Sequence, residues 1–321
     1  QKLNGFFAIG LFSKSNNTHY IIRDRFGIKP LVYSKQGDQI VFGSEIKSIK
    51  KLGINTNISK EAISTYLQYS YIPAPHTIYR EVQKLPAGCY LEVRDGTVNS
   101  IQYNHRVQES NQPDSFSNAA KHVKELTLDS VEKRMISDVP LGTFLSGGVD
   151  SSVIAFCANQ IRQIDTFSIG FKGHSVFDES QDAREFATQI GTNHHEIEIS
   201  QEDLLEIVDG FGRHIDEPFA DSSAIAVNAL TKFTRNKMTV ALSGDGADEL
   251  FSGYNKHEAL YRSMQGGITN SLIKGTSNIA AKLGGSRDSK LGNKLRQADK
   301  FGKGLKLPLR ERYLEWAKFT E

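Results

Sequence analysis

The stretch FLSGGVDSSVIA, residues Phe144–Ala155, runs from apolar residues through two adjacent glycines and an aspartate into a second apolar run. This order is typical of a strand that ends in a loop before a helix, where backbone amides and the helix dipole point at a ligand. Gly147 and Gly148 let an anion approach the main chain, and Ser151 supplies a hydroxyl. The stretch predicts an anion-binding turn; the alternative is a plain strand-to-helix turn in which Asp150 caps the helix.

Strands and helices alternate around this stretch, after an amphipathic helix that ends near Ile136. The predicted strands are Leu141–Leu145, Asp165–Phe171, His195–Ile199 and Met238–Leu242, and the predicted helices are Ser152–Ile161, Glu179–Ile190, Glu202–His214 and Ser223–Thr234. Such alternation implies right-handed crossovers and a doubly wound α/β fold, with a parallel sheet and helices on both faces. Ligands of these sheets bind beyond the carboxyl ends of the strands, which is where the glycine-rich turn falls.

The residues before the amphipathic helix predict a mostly antiparallel sheet, because their short runs are rich in β-branched and aromatic residues and are separated by turn formers. The predicted strands are Gly5–Ser13, His19–Arg23, Leu31–Ser34, Gln39–Gly43, Gly88–Arg94 and Thr97–Tyr103. A helix is predicted over Ser59–Gln68, where a serine precedes apolar residues at helical spacing. The chain therefore divides into a domain at 1–104, a polar linker at 105–117 and a domain at 118–321.

The segment Val240–Tyr254 repeats the pattern of the first loop, with an apolar strand followed by glycines that alternate with acids. In a parallel sheet its loop opens on the same edge, so we expect Asp150, Asp245 and Asp248 to converge. A carboxylate beside a phosphate is repelled unless a cation lies between them, and Mg²⁺ is the usual ion where the two share a site. The alternative is a surface turn whose acids cap a helix.

Charge and cysteine content narrow the class of protein. Lys and Arg number 39 against 37 Asp and Glu, a net charge of +2 that gives no reason to expect a nucleic-acid or membrane partner. Cys89 and Cys157 lack metal-ligand spacing and suit a reducing compartment, and the apolar run Gly5–Phe12 is too short to cross a bilayer. We therefore expect a soluble cytoplasmic protein. His194 and His195 are interpreted as a surface pair rather than a metal site, because no third ligand stands at metal spacing.

The turn Ser146–Ser151 resembles the SGGxDS pyrophosphate loop of the N-type ATP pyrophosphatases, and it has neither the lysine of a P-loop nor dinucleotide-type glycine spacing. The motifs that extend this likeness are Arg23–Leu31, Gly43–Lys47, Leu85–Gly88, Arg134–Pro140, Asp216–Ser223 and Val240–Tyr254. With these motifs in order along nearly all of its length, the chain resembles glutamine-dependent asparagine synthetase of the B type. The resemblance implies an adenine nucleotide α-hydrolase-like sheet, preceded by the latter part of an N-terminal-nucleophile α+β glutaminase domain.

The resemblance also implies the cofactors ATP and Mg²⁺ and a role for each matching residue. The implied pyrophosphate-binding residues are Ser146, Gly147, Gly148, Asp150 and Ser151. The implied adenine site is formed by the main chain of Leu145, Ile169, Ser243 and Gly244. The implied metal ligands are Asp150 and Asp248, and the implied catalytic acids are Asp245 and Asp248. Some family members have glutamate where this chain has Asp245. The aspartate side chain carries the same charge but is shorter by about one methylene, so its carboxylate lies closer to the main chain.

The implied activity is ATP-dependent amidation of aspartate to asparagine through β-aspartyl-AMP, with ammonia derived from glutamine in the full-length protein. The partners are then the small molecules aspartate, ATP and glutamine or ammonia, with a homodimer as a candidate assembly. The family's glutaminase uses an amino-terminal cysteine, whereas this sequence starts at Gln1, so we expect a fragment that lacks both ends and the glutaminase nucleophile. Two alternatives stay open: an amidotransferase or β-lactam-forming relative with another acyl acceptor, and a nucleotide-binding protein without turnover.

Overall fold

The computed structural model describes residues 3–104, 115–173, 178–267 and 290–319, together with residues 270 and 273. The chain forms two compact units, of which the first comprises Gln1–Ala119 and Glu206–Ile225 and the second Ala120–Leu205 and Ala226–Glu321. Most of the predicted linker, residues 105–114, lies outside the described residues. Its last two residues are helical, because a helix begins at Phe116.

The first unit contains two antiparallel sheets. Its strands are β1 (Ala8–Ser13), β2 (Thr18–Arg23), β3 (Val32–Gln36), β4 (Gln39–Gly43), β5 (Gln83–Lys84), β6 (Cys89–Arg94) and β7 (Thr97–Gln102), and its helices α1 (Ile46–Lys51) and α2 (Lys60–Tyr69) follow β4. One sheet has the order β1-β2-β6-β7 and the other β4-β3-β5. Ile21, Leu85 and Leu91, each at most 1% exposed, form the centre of one core cluster. The predicted antiparallel pairing is confirmed, but the strands form two sheets where one was expected, and the sequence patterns did not predict β5 or α1.

Helices α1 and α2 of the first unit begin in different ways. Ser59 caps α2, as predicted, because its side chain accepts a hydrogen bond from the amide of Ala62. Helix α1 has no cap from its own N-cap side chain; instead, the Asp216 carboxylate accepts a 2.6 Å hydrogen bond from the amide of Ile46. A helix that is capped by a residue so distant in the sequence carries no local start signal.

The second unit is built on a parallel sheet. Its strands are β8 (Leu141–Phe144), β9 (Asp165–Phe171), β10 (Asn193–Ile199) and β11 (Val240–Leu242), in the order β10-β9-β8-β11. The other helices of the described residues are, in chain order, α3 (Phe116–Arg134), α4 (Val149–Ile161), α5 (Ser180–Ile190), α6 (Gln201–Phe211), α7 (Ser223–Arg235), α8 (Ala247–Phe251), α9 (Asn255–Gln265), α10 (Lys290–Leu305) and α11 (Leu309–Ala317). Most of α6 belongs to the first unit. The predicted parallel sheet is confirmed.

Helices cover both faces of this sheet. On β9, the Phe167 ring packs edge-on against Phe233 of α7, with 6.3 Å between ring centroids. Gly170 lies on the alternate face, where an added Cβ would be 3.3 Å from the Cβ of Ser180 in α5. The fold is therefore doubly wound. The strand order reverses between β8 and β11, which makes the carboxyl ends of these two strands the switch point where such folds bind ligands.

The cores of the two units also contain the cysteines. Cys89 belongs to the cluster around Leu91, and Cys157 of α4 packs with Val131, Met135 and Leu141. Both thiols are free and buried, and burial raises the pKa of each. Among the residues that the structure describes, no helix combines the length and apolar character needed to cross a bilayer.

Candidate active site

A pocket of about 420 Å³ opens at the carboxyl ends of β8, β9 and β11, within the second unit. It is lined by Phe144, Leu145, Ser146, Asp150, Ser151, Ser168, Ile169, Phe171, Glu179, Ala226, Val227, Leu230, Ser243, Gly244, Asp245, Gly246, Asp248, Glu249 and Tyr254. Nine of the eleven site residues predicted from sequence are in this lining, and the other two are Gly147 and Gly148. The two loops that the sequence singled out therefore share one pocket.

The first loop is closed by its own serine hydroxyls. The Ser146 and Ser151 Oγ atoms lie 3.0 Å apart, and the amide of Ser146 donates to Ser151 Oγ at 3.1 Å. Helix α4 begins at Val149, earlier than the predicted start at Ser152, so Asp150 lies in its first turn. The N-cap is Gly148, without a side-chain hydrogen bond, and Asp150 is therefore not the capping residue. Because the Asp150 carboxylate neither caps α4 nor is buried, it is available to bind a ligand.

Gly147 is required by packing rather than by the pocket. Its φ of +83° lies in the left-handed region, which costs a residue with a side chain roughly 1–2 kcal/mol. An added Cβ would also stand 2.7 Å from the Cβ of Asp182 and 2.9 Å from the amide nitrogen of Ala183, both in α5. The two adjacent glycines therefore have different roles. Gly147 leaves room for α5 to pack closely, and Gly148 is the N-cap of α4.

The second loop packs directly on the first. An added Cβ at Gly244 would lie 2.9 Å from the carbonyl carbon and 3.0 Å from the Cβ of Asp150. Ser243 Oγ donates a 2.8 Å hydrogen bond to Asp245 Oδ2, which fixes that carboxylate beside the loop. Gly246 has a φ of +95° and is the N-cap of α8, so the chain turns sharply enough to return Asp248 to the pocket.

The pocket is strongly acidic. Its lining includes five carboxylates and, among the described residues, no lysine, arginine or histidine; the five are Asp150, Glu179, Asp245, Asp248 and Glu249. Over the same described part of the chain, no three His, Cys, Asp or Glu side chains come close enough to hold a metal ion by themselves. A polyanionic ligand would therefore need a cation bound jointly by protein carboxylates and its own phosphates, which is how Mg²⁺ is usually held.

Glu249 and Tyr254 form a hydrogen-bonded pair in the pocket that the sequence analysis did not assign. The Tyr254 hydroxyl donates to Glu249 Oε1 at 2.7 Å, and this bond raises the pKa of Tyr254 to about 12. The same bond lowers the pKa of Glu249. The Lys256 ammonium stands 4.7 Å from the centroid of the Tyr254 ring. Glu249 and Tyr254 both belong to the segment Val240–Tyr254. Their place in that segment was the sequence signal that could have identified them as pocket residues.

The interpretation of His194 and His195 as a surface pair is wrong. Both side chains are half-buried, and each has a partner on β9. His195 Nε2 lies 2.7 Å from Asp165 Oδ1, and its ring stacks on Phe167. His194 lies on the opposite face of β10, because neighbouring strand residues alternate. A metal site at this pair finds no support within the described residues.

The motif Asp216–Ser223 contributes no described residue to the pocket lining. It belongs instead to the first unit, where Asp216 caps α1. Glu217 pairs with the ammonium of Lys84 and accepts a 3.2 Å hydrogen bond from the amide of Ile78. Asp216 and Glu217 therefore act as structural anchors within the first unit.

A parallel sheet with helices on both faces and a pocket at its switch point defines the second unit as a doubly wound α/β fold. Residues 122–319 match the asparagine synthase family, and residues 1–104 match the glutamine amidotransferase domain family. The chain belongs to the asparagine synthase family.

Three curated relatives illustrate the similarity. Asparagine synthetase [glutamine-hydrolyzing] 1 of Bacillus subtilis is 38% identical over 256 residues, which cover 79% of this chain and 40% of that protein. A putative asparagine synthetase [glutamine-hydrolyzing] 2 of Methanocaldococcus jannaschii is 34% identical over 82% of this chain and 52% of its own length. Asparagine synthetase B of Escherichia coli is 27% identical over 78% of this chain and 44% of its own length. The chain thus spans about half, or less, of the relatives that it matches.

Proposed function

We propose that this chain carries the site at which the full-length protein makes asparagine from aspartate, ATP and ammonia. The observation that carries the proposal is the meeting of two glycine-rich, acid-bearing loops in one pocket at the switch point of a parallel sheet. In the first step, a β-carboxylate oxygen of aspartate attacks the α-phosphorus of ATP and expels pyrophosphate, which gives β-aspartyl-AMP. Such a reaction depends on positioning and on neutralising the phosphate oxygens.

The main chain of the pocket supports a bound adenosine triphosphate. Helix α4 begins at Val149, so the positive end of its dipole lies beside the place proposed for the pyrophosphate, and Ser146 and Ser151 belong to the same lining. Strand β8 pairs with β9 only as far as Phe144 and Phe167, whereas β9 continues to Phe171. The edge of β9 at Ile169 therefore faces the pocket, where a purine base can bond to backbone groups.

The carboxylates of the pocket fit a Mg²⁺ ion, which we propose as the cofactor. Asp150 and Asp248 come from the two loops, and in the described lining no basic side chain competes for them. We propose that these two carboxylates would hold the ion beside the triphosphate. When bound, the ion would supply neutralisation of charge on the phosphate oxygens.

In the second step, ammonia attacks the acyl carbon of β-aspartyl-AMP, the bond to the phosphate oxygen breaks, and AMP leaves. The attacking nitrogen must lose a proton, and Asp245 and Asp248 are the carboxylates of the second loop that we propose to accept it. The hydrogen bond from Ser243 orients Asp245 for this role.

Our proposal for the nitrogen donor rests on the first third of the chain. Residues 1–104 match the glutamine amidotransferase domain family, and the relatives are named glutamine-hydrolyzing. We propose glutamine as the donor in the full-length protein, and a cytoplasmic location, which the two free, buried thiols support.

Exchange of labelled pyrophosphate into ATP tests the proposal in the full-length protein. We expect exchange that requires both aspartate and Mg²⁺, because adenylation is reversible before ammonia arrives. Exchange supported by a different carboxylic acid and not by aspartate would indicate a relative with another acyl acceptor. ATP binding without exchange, across candidate acids, would indicate a nucleotide-binding protein without turnover.

A further inference from the structure

The Glu249–Tyr254 pair of the pocket has no role in the two reaction steps. The Tyr254 hydroxyl donates to Glu249 Oε1 at 2.7 Å, and both residues belong to the pocket lining. The Lys256 ammonium stands 4.7 Å from the centroid of the Tyr254 ring and 5.6 Å from that of Tyr313 in α11. Because a carboxylate has about four acceptor positions, the bond from Tyr254 orients Glu249 and leaves acceptor positions for a ligand.

The pair lies beside Asp248, one of the acids of the second loop. The amide of Gly253 donates to the main-chain oxygen of Asp248 at 3.0 Å, and a Cβ added to Gly253 would stand 2.9 Å from the carboxyl carbon of Asp248. The Asp248 carboxylate therefore lies against the residue that precedes Tyr254. A substrate that contacts Glu249 is then close to the acids of the proposed chemistry.

Glu249 follows Asp248 directly in α8, yet their carboxylates point in different directions. Adjacent residues of a helix are rotated by about 100° around its axis, so they do not face each other. Asp248 lies against Gly253, whereas Glu249 reaches the hydroxyl of Tyr254. Glu249 can therefore bind a ligand group other than the cation proposed for Asp150 and Asp248.

The charge of the pocket determines which group of an amino acid Glu249 can bind. At neutral pH, aspartate carries two carboxylates and one ammonium group. The described lining has no basic side chain, and Glu249 forms no ion pair with a described residue. A substrate carboxylate beside Glu249 would be repelled, whereas an ammonium group would be attracted. Its hydrogen bond to a carboxylate would also be charge-assisted, which makes it stronger than a neutral one.

We propose that Glu249, oriented by Tyr254, binds the α-ammonium group of the amino-acid substrate and so selects an amino acid over a carboxylic acid that lacks the amine. This inference rests on the proposed function, because it names a subsite for the same substrate. Tyr254 is a positioning residue, since it acts on the substrate through Glu249. Held by its α-ammonium group, aspartate keeps its β-carboxylate free to reach the α-phosphorus of ATP.

Pyrophosphate exchange and calorimetric titration of the full-length protein test the subsite together. Glu249→Gln removes the charge at an exposed position and nearly keeps the size. We expect its KM for aspartate to rise at least about tenfold, as for a lost hydrogen bond between charged groups, while its affinity for ATP with Mg²⁺ stays unchanged. Tyr254→Phe should raise the KM for aspartate by less, because Glu249 keeps its charge. An unchanged KM in Tyr254→Phe would remove the positioning role.

Glu258→Gln is the matched control, because Glu258 is also exposed and bonded to a donor, Arg262, but is not in the described lining. Its KM for aspartate should equal that of wild type. Succinate, which is aspartate without the amino group, provides a second readout. As a competitor of aspartate in the exchange assay, it should inhibit Glu249→Gln no more weakly than wild type, since it offers no ammonium group.

The assignment is wrong if Glu249→Gln keeps the wild-type KM for aspartate. It is also wrong if this variant loses affinity for ATP with Mg²⁺, or for succinate, to the same degree as for aspartate, because Glu249 would then serve the nucleotide, the cation or the substrate carboxylates. If wild type shows no exchange with aspartate, the proposed function fails. If wild type shows exchange and only the KM is insensitive to Glu249→Gln, the proposed function stands and this inference fails.

Discussion

The main chain of Gly244 lies directly against the backbone of Ser151, so that a Cβ added to Gly244 would stand 2.7 Å from the Ser151 amide nitrogen. The two residues follow β11 and β8, which are hydrogen-bonded neighbours in the parallel sheet. Their contact brings the two acid-bearing loops into one pocket. The pocket therefore depends on the absence of a side chain at this position.

Gly244→Ala should separate the two loops and weaken binding of ATP with Mg²⁺ at least about tenfold, because backbone atoms cannot yield as a flexible side chain can. Calorimetric titration measures this affinity. Gly210→Ala, in α6, is the matched control: an added Cβ there meets nothing within 4 Å, so binding should be unchanged. Equal affinities in both variants would show that the loop contact is not needed.

Asp150→Ala should abolish aspartate-dependent pyrophosphate exchange and leave the fold intact. Since Asp150 does not cap α4, its removal loses little beyond its interaction with the helix dipole, about 0.3–1 kcal/mol. Exchange assays and thermal unfolding measure the two effects separately. Asp182→Ala removes the acid from the first turn of α5, which is not in the described lining, and should retain exchange. Normal exchange in Asp150→Ala would remove the assignment of Asp150 as a metal ligand.

Asp216→Ala should destabilise the first unit by about 1–3 kcal/mol, because the buried amide of Ile46 would lose its acceptor. Denaturant unfolding measures the change in the free energy of unfolding. Asp221→Ala provides the comparison, since Asp221 accepts from Ser223 at an exposed site where water can replace it. A loss at Asp216 no larger than that at Asp221 would contradict the role of Asp216 as an anchor.

Asp24 should make the stability of the first unit depend on pH. Burial alone would raise the pKa of Asp24, but hydrogen bonds from the amides of Lys29, Ile28 and Phe26 outweigh it and hold the pKa below its ordinary value. Because the folded pKa is the lower one, the stabilisation is present above the unfolded pKa of about 3.9 and is lost as pH falls through the folded pKa.

Asp24→Asn should therefore lower the melting temperature at pH 7 and flatten its decline between pH 5 and pH 2, in a thermal unfolding series. An amide oxygen replaces only part of a carboxylate that serves three donors. Asp38→Asn, at an exposed turn, should leave the series unchanged. Parallel curves for Asp24→Asn and wild type would contradict the assignment.

The sequence predicts structural features that depend on neighbouring residues, such as loops and helix caps. It does not predict features that depend on contacts with residues far away in the sequence. The two glycine-rich loops carry their own turn residues, and the structure brings them to one pocket as expected. Helix α1 was not predicted, because its amino-terminal amide is satisfied by Asp216 in a remote segment. The surface interpretation of His194 was wrong for the same reason, since only the register of β10 against β9 places it between Thr166 and Ser168.

Transfer of oxygen-18 from aspartate tests the central claim most directly. The full-length protein would be supplied with ATP, Mg²⁺, ammonia and aspartate labelled in both β-carboxylate oxygens, and the products would be analysed by mass spectrometry. If the pocket adenylates aspartate, one labelled oxygen must appear in the phosphate of AMP, and the other must remain in the asparagine side chain. Unlabelled AMP, or ADP as the nucleotide product, would contradict the proposed chemistry.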